Sequence, residues 1–481
     1  MDNFRSFIGM LLILGICFAI SKNRKAINYR TVAGGLGLQF LIGYMFIRFE
    51  GTAKWFNAFS LKVQEFLSLS QEGAKFVFGD FGDPSKTGFL FATQVLPTII
   101  FFSAFISVLY YLGIIQVIIS GIAFVVKYLM GTSGSETLSC SANIFVGQTE
   151  APLLIKPFLE KMTLSELNAV MIGGFATIAG SVLGAYILMG IPAASLIAAS
   201  VMAAPGALAV AKILVPETEV SETIGGAKMP KIDAGENLVD AAAQGTTDGL
   251  GLALNVAAML IAFTSIIAVF DWVLGGMDWL IDAQLLGAIE RADGTYPGIT
   301  PSSIGFVLGW LFTPFVYMLG VPWEDASAAG SFLGIKIVLN EFVAYLMMKD
   351  QLSTLDPRTV FIMSFALCGF ANLASIGIQV GGIGALAPSR RKDISKLAVR
   401  AMVGGILVSC LTACIAGVLD TGNYENSQFK ETEMKADAFA PESPEDSVEM
   451  LLEEPINVQP QSPEQPQSPE PEEGSPTPGG S

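Results

Sequence analysis

One stretch limits what this chain can become: Ser139-Cys140-Ser141-Ala142-Asn143-Ile144-Phe145-Val146-Gly147-Gln148-Thr149-Glu150-Ala151-Pro152. It lies among strongly apolar segments, yet it sets Gln148, Thr149 and Glu150 in direct succession. Successive residues of a helix point about 100° apart, so no single helix face presents all three. An irregular backbone does, and Pro152 keeps a regular helix from running straight through. Within a bilayer, irregular backbone persists only where protein buries it or where it lines a wet cavity. A carboxylate at that depth costs about 2.5–3.5 kcal/mol on insertion scales, which makes Glu150 a candidate functional residue. A plain loop between two helices is the ordinary alternative.

The surroundings are those of a polytopic membrane protein. Of 481 residues, 52% are hydrophobic and 15% charged, whereas soluble domains carry about 25% charged residues. The net charge of -16 is concentrated at one end: from Asp420 onward, 15 Asp and Glu face two Lys. No basic patch calls for nucleic acid. Histidine is absent, which removes His-based triads and His metal sites. Cys17, Cys140, Cys368, Cys410 and Cys414 lack metal-ligand spacing and read as small core residues. Residues 7–20 are apolar without a basic leader or a small-residue cleavage site, and the charges at Lys22, Arg24, Lys25 and Arg30 follow them. That pattern predicts a retained first span with its N-terminus outside.

Spans of about 20 apolar residues are expected at roughly 4–21, 30–48, 88–112, 165–189, 193–214, 250–275, 358–383 and 396–418. Polar loops are expected at 215–237 and 284–301, and an interfacial or leaning helix at 112–130. Two apolar segments, 133–160 and 325–348, carry adjacent polar residues in mid-run, the second as Asn340-Glu341-Phe342-Val343-Ala344-Tyr345. Half-helix, turn, half-helix accommodates them, giving two re-entrant hairpins. Gly174-Phe175-Ala176-Thr177-Ile178-Ala179 recurs 195 residues later as Gly369-Phe370-Ala371-Asn372-Leu373-Ala374. With Lys and Arg of short loops taken as cytoplasmic, the two copies run in opposite directions, an inverted repeat. Such repeats set substrate and ion sites at the midplane between broken helices.

The expected fold is therefore an all-α polytopic membrane protein, with about eight transmembrane helices plus two re-entrant helical hairpins. Its divisions are 1–130, mostly scaffold; 131–215, a first transport repeat; 216–300, a loop and a scaffold span; and 301–419, a second transport repeat. Residues 420–481 form an acidic, Pro-rich tail, with 10 of the 24 prolines, too polar to fold and set on the non-cytoplasmic side.

The polar groups that the first half would bury are Asn143, Gln148, Thr149, Glu150, Thr177 and Ser181. The second half adds Asn340, Glu341, Asn372, Ser375 and Gln379. Asn372 and Ser375 are three apart and share a helix face, and flanking Gly369 and Gly377 permit unwinding that brings in Phe370. Carboxylates, amides and hydroxyls with an aromatic, and without a conspicuous cation, suit a neutral polyhydroxylated solute bearing a flat polar ring. Ser181 has an equally ordinary role, bonding back to a helix carbonyl.

Gly147-Gln148-Thr149-Glu150-Ala151-Pro152, Asn340-Glu341-Phe342-Val343-Ala344-Tyr345 and Cys368-Gly369-Phe370-Ala371-Asn372 together resemble the concentrative nucleoside transporter family. The resemblance spans roughly residues 30–418 and leaves out the tail. It implies a homotrimer of eight-span protomers in the cell membrane, each with a scaffold and a mobile transport part. In substrate binding it implies Gln148, Thr149 and Glu150 at the nucleobase, and Glu341, Asn372 and Ser375 at the ribose. Phe370 and Val182 would line the pocket. It implies sodium held by Asn143, Thr177 and the carbonyls of Val146 and Ile178. The expected function is a sodium-coupled nucleoside symporter working as an elevator, not an enzyme. Proton coupling through Glu150 or Glu341 is the nearest alternative. An intramembrane hydrolase lacks an activating histidine, and a channel fits poorly with two hairpins closing on one site.

Overall fold

The computed structural model of the chain describes residues 2–224, 235–286, 288 and 301–422. Within them all regular structure is helical. The helices used below are α1 (Asp2–Ala19), α2 (Tyr29–Gly43), α3 (Glu50–Ser68), α4 (Leu96–Tyr111), α5 (Ile114–Met130), α6 (Gly134–Ala142), α7 (Leu164–Ala176) and α8 (Gly180–Leu188). They continue as α9 (Ala193–Leu214), α10 (Leu238–Asp278), α11 (Ile304–Leu319), α12 (Ala326–Val338), α13 (Glu341–Lys349), α14 (Pro357–Ala366), α15 (Leu373–Leu386) and α16 (Arg391–Leu419).

Seven helical stretches among the described residues are long and apolar enough to cross a membrane. Seven of the eight expected spans coincide with them. The eighth, 358–383, is split by Leu367–Asn372 into α14 and α15, each shorter than a bilayer. The span expected at 165–189 is likewise broken, at Thr177–Ala179 between α7 and α8. The span expected from 250 begins earlier, at Leu238, because Asn237 caps it by accepting from the Val239 and Asp240 N–H groups. The segment 112–130 is a helix with an exposed apolar face that includes Val117, Phe124 and Tyr128. Most of the loop expected at 284–301, and the tail beyond Gly422, lie outside the described residues.

Both interrupted segments take the half-helix form. In the first, α6 ends at Ala142, residues 143–150 are irregular, and a run of 3₁₀ turns follows over Ala151–Lys161. In the second, α12 stops at Val338 and α13 starts at Glu341. Polar caps make these short helices self-sufficient. Ser133 and Glu136 form a capping box on α6, Thr163 and Glu166 one on α7, Asn340 caps α13 and Asn372 caps α15.

Packing gathers the helices into two groups, which touch where α8 lies against α4. α10 lies along α4, with Gly245 and Gly249 so close to Ser107, Ser103 and Ile100 that a Cβ would come within 2.5–2.8 Å. The broken helices form the other group: α7 packs on α16, where Gly405 faces Phe175, and on α9. α1 and α2 join this second group, on α16 and α9 respectively.

Candidate functional site

The two breaks meet. Gly369 has φ +133°, a backbone conformation that side chains resist, and an added Cβ would lie 2.9 Å from the Phe175 carbonyl oxygen. The Phe370 N–H donates to the Thr177 carbonyl (3.1 Å), and the Gly180 N–H to the Phe145 carbonyl (3.1 Å). The first irregular turn, the α7–α8 break and the α14–α15 break thus form one patch of non-helical backbone, held together by its own hydrogen bonds. Such backbone survives at membrane depth only when its groups are paired in this way or line a cavity.

A chain of polar side chains crosses the patch. Gln148 Nε2 donates to Ser375 Oγ (3.2 Å), and Gln148 Oε1 accepts from Gln379 Nε2 (3.1 Å). Gln379 Nε2 is also bonded to the Met171 carbonyl, which fixes the amide. Asn372 Oδ1 accepts from the Ser375 N–H (2.8 Å), and Asn372 Nδ2 donates to Glu341 Oε2 (3.4 Å). The other carboxylate oxygen, Glu341 Oε1, accepts from the Tyr186 hydroxyl (2.8 Å). Glu341, 4% exposed, sits in the first turn of α13, where a helix N-terminus favours negative charge. Gln148, Ser375, Asn372 and Glu341 are therefore contiguous. The spacing of Asn372 and Ser375 reflects a cap and its third helical residue rather than two neighbours on a helix face.

Other expected site residues fall around this chain. Val182 is buried and Phe370 half-buried. Thr149 is half-buried with its methyl group against Gly382. Glu150 is exposed, and its Oε2 accepts from the Gly147 N–H (3.0 Å). The sequence-based expectation that all three hairpin residues are buried is thus corrected: the tight turn at Gly147 sends Gln148 inward and Glu150 outward. Ser181 is half-buried.

Asn143, Val146, Thr177 and Ile178 are all buried. Asn143 spends its amide N–H on the Ser139 carbonyl (3.1 Å), while its Oδ1 has no partner. Thr177 donates its hydroxyl hydrogen back to the Gly173 carbonyl (2.9 Å), leaving its lone pairs free. A buried amide oxygen without a donor carries a desolvation cost of about 1–3 kcal/mol. A hard cation relieves that cost, because it binds oxygen lone pairs and needs no hydrogen.

Three contributors escaped the sequence reading. Tyr186 is an aromatic in an apolar span, without a local mark that separates a core tyrosine from one aimed at a carboxylate. Lys336 lies fully buried in α12, its Nζ donating to the Ala366 carbonyl (2.7 Å), so the inventory does hold a cation. Its place in the apolar run 325–348 was a readable signal. At the start of α6, Lys212 pairs with Glu136 (2.8 Å) and Glu217 (3.2 Å), and Glu166 accepts from Ser221 (2.5 Å). Ser221 and Thr223 of the loop expected at 215–237 are thereby buried against α6 and α7, while 218–220 stay exposed. All five cysteines are free and buried.

Comparison with known proteins agrees with this geometry. Models of the Na+ dependent nucleoside transporter match at residues 8–81 for the N-terminus and 195–417 for the C-terminus, with a nucleoside recognition model at 92–193. Sodium/nucleoside cotransporter 1 of Rattus norvegicus is 44% identical over 431 residues, covering 86% of this chain and 63% of its own length. The chain thus spans less than two thirds of that relative. An uncharacterized transporter of Bacillus subtilis, YutK, is 43% identical over 415 residues and is covered over 98% of its length. Among solved structures, CNTnw in an inward-facing substrate-bound state superposes with a TM-score of 0.79 at 41% identity, covering 87% of this chain and 98% of that one. A CNTnw variant in an outward-facing state gives 0.80 at 41% identity, with the same coverage. The chain belongs to the Na+ dependent nucleoside transporter family.

Proposed function

We propose that this protein is a secondary active symporter that imports nucleosides, driven by a sodium gradient. The observation that carries the reading is the hydrogen-bonded chain from Gln148 on the first hairpin to Glu341 on the second. It offers amide and hydroxyl groups to a base edge at one end and a carboxylate to vicinal hydroxyls at the other. Gln148, Thr149 and Glu150 face the base, Glu341, Asn372 and Ser375 hold the ribose, and Val182 and Phe370 line the pocket. Sodium, as co-substrate, is held by Asn143, Thr177 and the Val146 and Ile178 carbonyls, for which the unpartnered Asn143 Oδ1 speaks.

The mechanism is an elevator. Ligand shifts a carrier between states only by its unequal affinity for them. Here sodium and nucleoside together satisfy the polar groups of both hairpin tips, so the loaded site crosses the apolar barrier more readily than a half-filled one. The packing supports a scaffold of α4 with α10, narrower than residues 1–130, with α1 and α2 travelling with the broken helices. The protomer reads as eight spans with two re-entrant hairpins in an inverted repeat. The exposed apolar faces of α5 and α10 suit lipid and the neighbours of a homotrimer, and the acidic tail lies outside the cell membrane's cytoplasmic face.

Uptake of labelled uridine, cytidine, adenosine and inosine, with sodium present or replaced by choline at several pH values, tests the proposal. Saturable, sodium-dependent accumulation of intact nucleoside is expected. Uptake that ignores sodium but rises with acidity would overturn sodium coupling in favour of protons carried by Glu150 or Glu341. Passive equilibration would indicate a channel.

A further inference from the structure

Lys336 has no role in the site described so far, yet its place is specific. It lies in the last turn of α12, and its Nζ donates to the carbonyl of Ala366, the final residue of α14 (2.7 Å). On the other arm of the same hairpin, the Tyr345 hydroxyl donates to the Ser364 carbonyl (2.8 Å). Both acceptors are products of the α14–α15 break. In an unbroken helix the Ser364 and Ala366 carbonyls would take the N–H groups four residues on, those of Cys368 and Phe370. Here the Cys368 N–H donates to the Phe365 carbonyl (3.2 Å) and the Phe370 N–H to the Thr177 carbonyl (3.1 Å). A buried carbonyl left over at a helix end must find another donor, and the second hairpin supplies one from each arm. Lys336 and Tyr345 are both fully buried.

Among the described residues no backbone–backbone hydrogen bond joins this hairpin to the break, so the hydrogen bonds across the gap come from side chains. The gap matters to the site, because Glu341 comes from the hairpin whereas Asn372 and Ser375 come from the break. Their direct link, Asn372 Nδ2 to Glu341 Oε2, is long at 3.4 Å and too weak to hold two elements in register. Glu341 and Tyr345 are four apart on one face of α13, so the Tyr345 bond docks the face that carries the carboxylate. The Lys336 bond fixes the approach to the turn at Leu339 and Asn340, where α12 gives way to α13. We propose that Lys336 and Tyr345 are positioning residues for the sugar of the substrate. They pin both arms of the second hairpin to the orphaned carbonyls of the broken helix, and so hold Glu341 at the spacing from Asn372 that vicinal hydroxyls bridge. They act through Glu341 rather than on the nucleoside. A tie that merely kept helices packed would affect every substrate and sodium alike, whereas one that sets this spacing acts on the ribose.

The inference rests on the proposed ribose contact at Glu341, and the test separates the two. The full chain, reconstituted in proteoliposomes, is assayed with whichever of uridine, cytidine, adenosine and inosine the wild type accumulates best, and with the corresponding 2′,3′-dideoxynucleoside. Tyr345→Phe keeps the ring and removes the donor; its KM for the ribonucleoside should rise about fivefold, the worth of one neutral hydrogen bond. Lys336→Met keeps the length and removes donor and charge together, for a rise of about tenfold. Lys336→Arg, which still donates, should restore most of that loss. In each variant the KM for the dideoxy compound and the half-saturating sodium should keep their wild-type values, with the maximal rate per folded carrier nearly unchanged. An equal loss with the two compounds, a matching shift in half-saturating sodium, or a wild-type KM in Tyr345→Phe overturns the proposal. Should Lys336→Met fail to fold, Tyr345→Phe decides by the same measures. A wild type that accumulates no nucleoside on sodium, or that shows one KM for both compounds, ends the parent reading instead.

Discussion

Tyr186→Phe isolates one hydrogen bond with little else disturbed. The ring stays packed, 4.5 Å from the Tyr345 ring and 5.2 Å from that of Phe342, and Phe keeps those contacts. Only the hydroxyl that donates to Glu341 Oε1 at 2.8 Å is lost. A hydrogen bond to a charged group contributes about 1.5–3 kcal/mol, or roughly 10- to 150-fold in an equilibrium constant. Two features of the site favour the lower end. Glu341 keeps Asn372 as a partner at 3.4 Å, and the helix N-terminus beneath it still favours its charge. The carboxylate would turn more freely, and nucleoside binding would bear the cost of ordering it. KM for nucleoside uptake should therefore rise about tenfold, with the maximal rate nearly unchanged and half-saturating sodium unaltered. A 2′,3′-dideoxynucleoside, lacking the hydroxyls proposed to meet Glu341, should show a much smaller loss. Wild-type KM in the variant, or an equal loss with the dideoxy compound, would refute the link between Tyr186, Glu341 and the ribose.

Thr177→Ala removes an oxygen of the proposed ion site, so half-saturating sodium should rise about tenfold, taking about 1.5 kcal/mol for a contact to a charge; an unaltered sodium affinity would sink the ion-site assignment, whatever happens to nucleoside preference. Gly369→Ala combines a φ of +133° with a Cβ 2.9–3.0 Å from the Phe175 and Ala176 backbone, a strain of about 1–3 kcal/mol. Its thermal unfolding midpoint should fall together with uptake, and an unchanged midpoint would mean that the two breaks do not pack backbone to backbone. Deletion of 424–481 should leave uptake and sodium dependence intact; loss of either would assign the tail a part in transport.

The parts of this molecule that were legible in the sequence are those whose cause is local. Pro152 and the adjacent Gln148, Thr149 and Glu150 announce a broken segment because helix geometry forbids them on one face. The recurrence of Gly-Phe-Ala at 174 and 369 marks both breaks because each needs close backbone approach within a few residues. Asn340 and Asn372 stand out in the sequence as polar residues in apolar runs, and the fold makes them the caps that start α13 and α15. What stayed hidden depends on residues far apart in the chain. Tyr186 and Glu341 are separated by 155 positions, and no periodicity within either helix reports which carboxylate a hydroxyl meets. Helix boundaries were legible only in part: 358–383 has the hydropathy of one span and Gly369 permits unwinding within it, but the contact of Gly369 with Phe175 and the Asn372 cap are what make it two helices.

Lys336 differs from these cases, because the sequence held enough to find it. Charged residues at membrane depth are costly and persist where the interior gives them a use. A lysine flanked by Ile335 and Ile337, six positions after Gly330 and two after Gly334, must point away from the side on which those glycines let another helix approach. That side is α11, so the lysine faces the interior with its charge at the end of its own helix. The pairing of an inward lysine with a helix that stops two residues later, at Val338, is a pattern that one chain displays without any alignment.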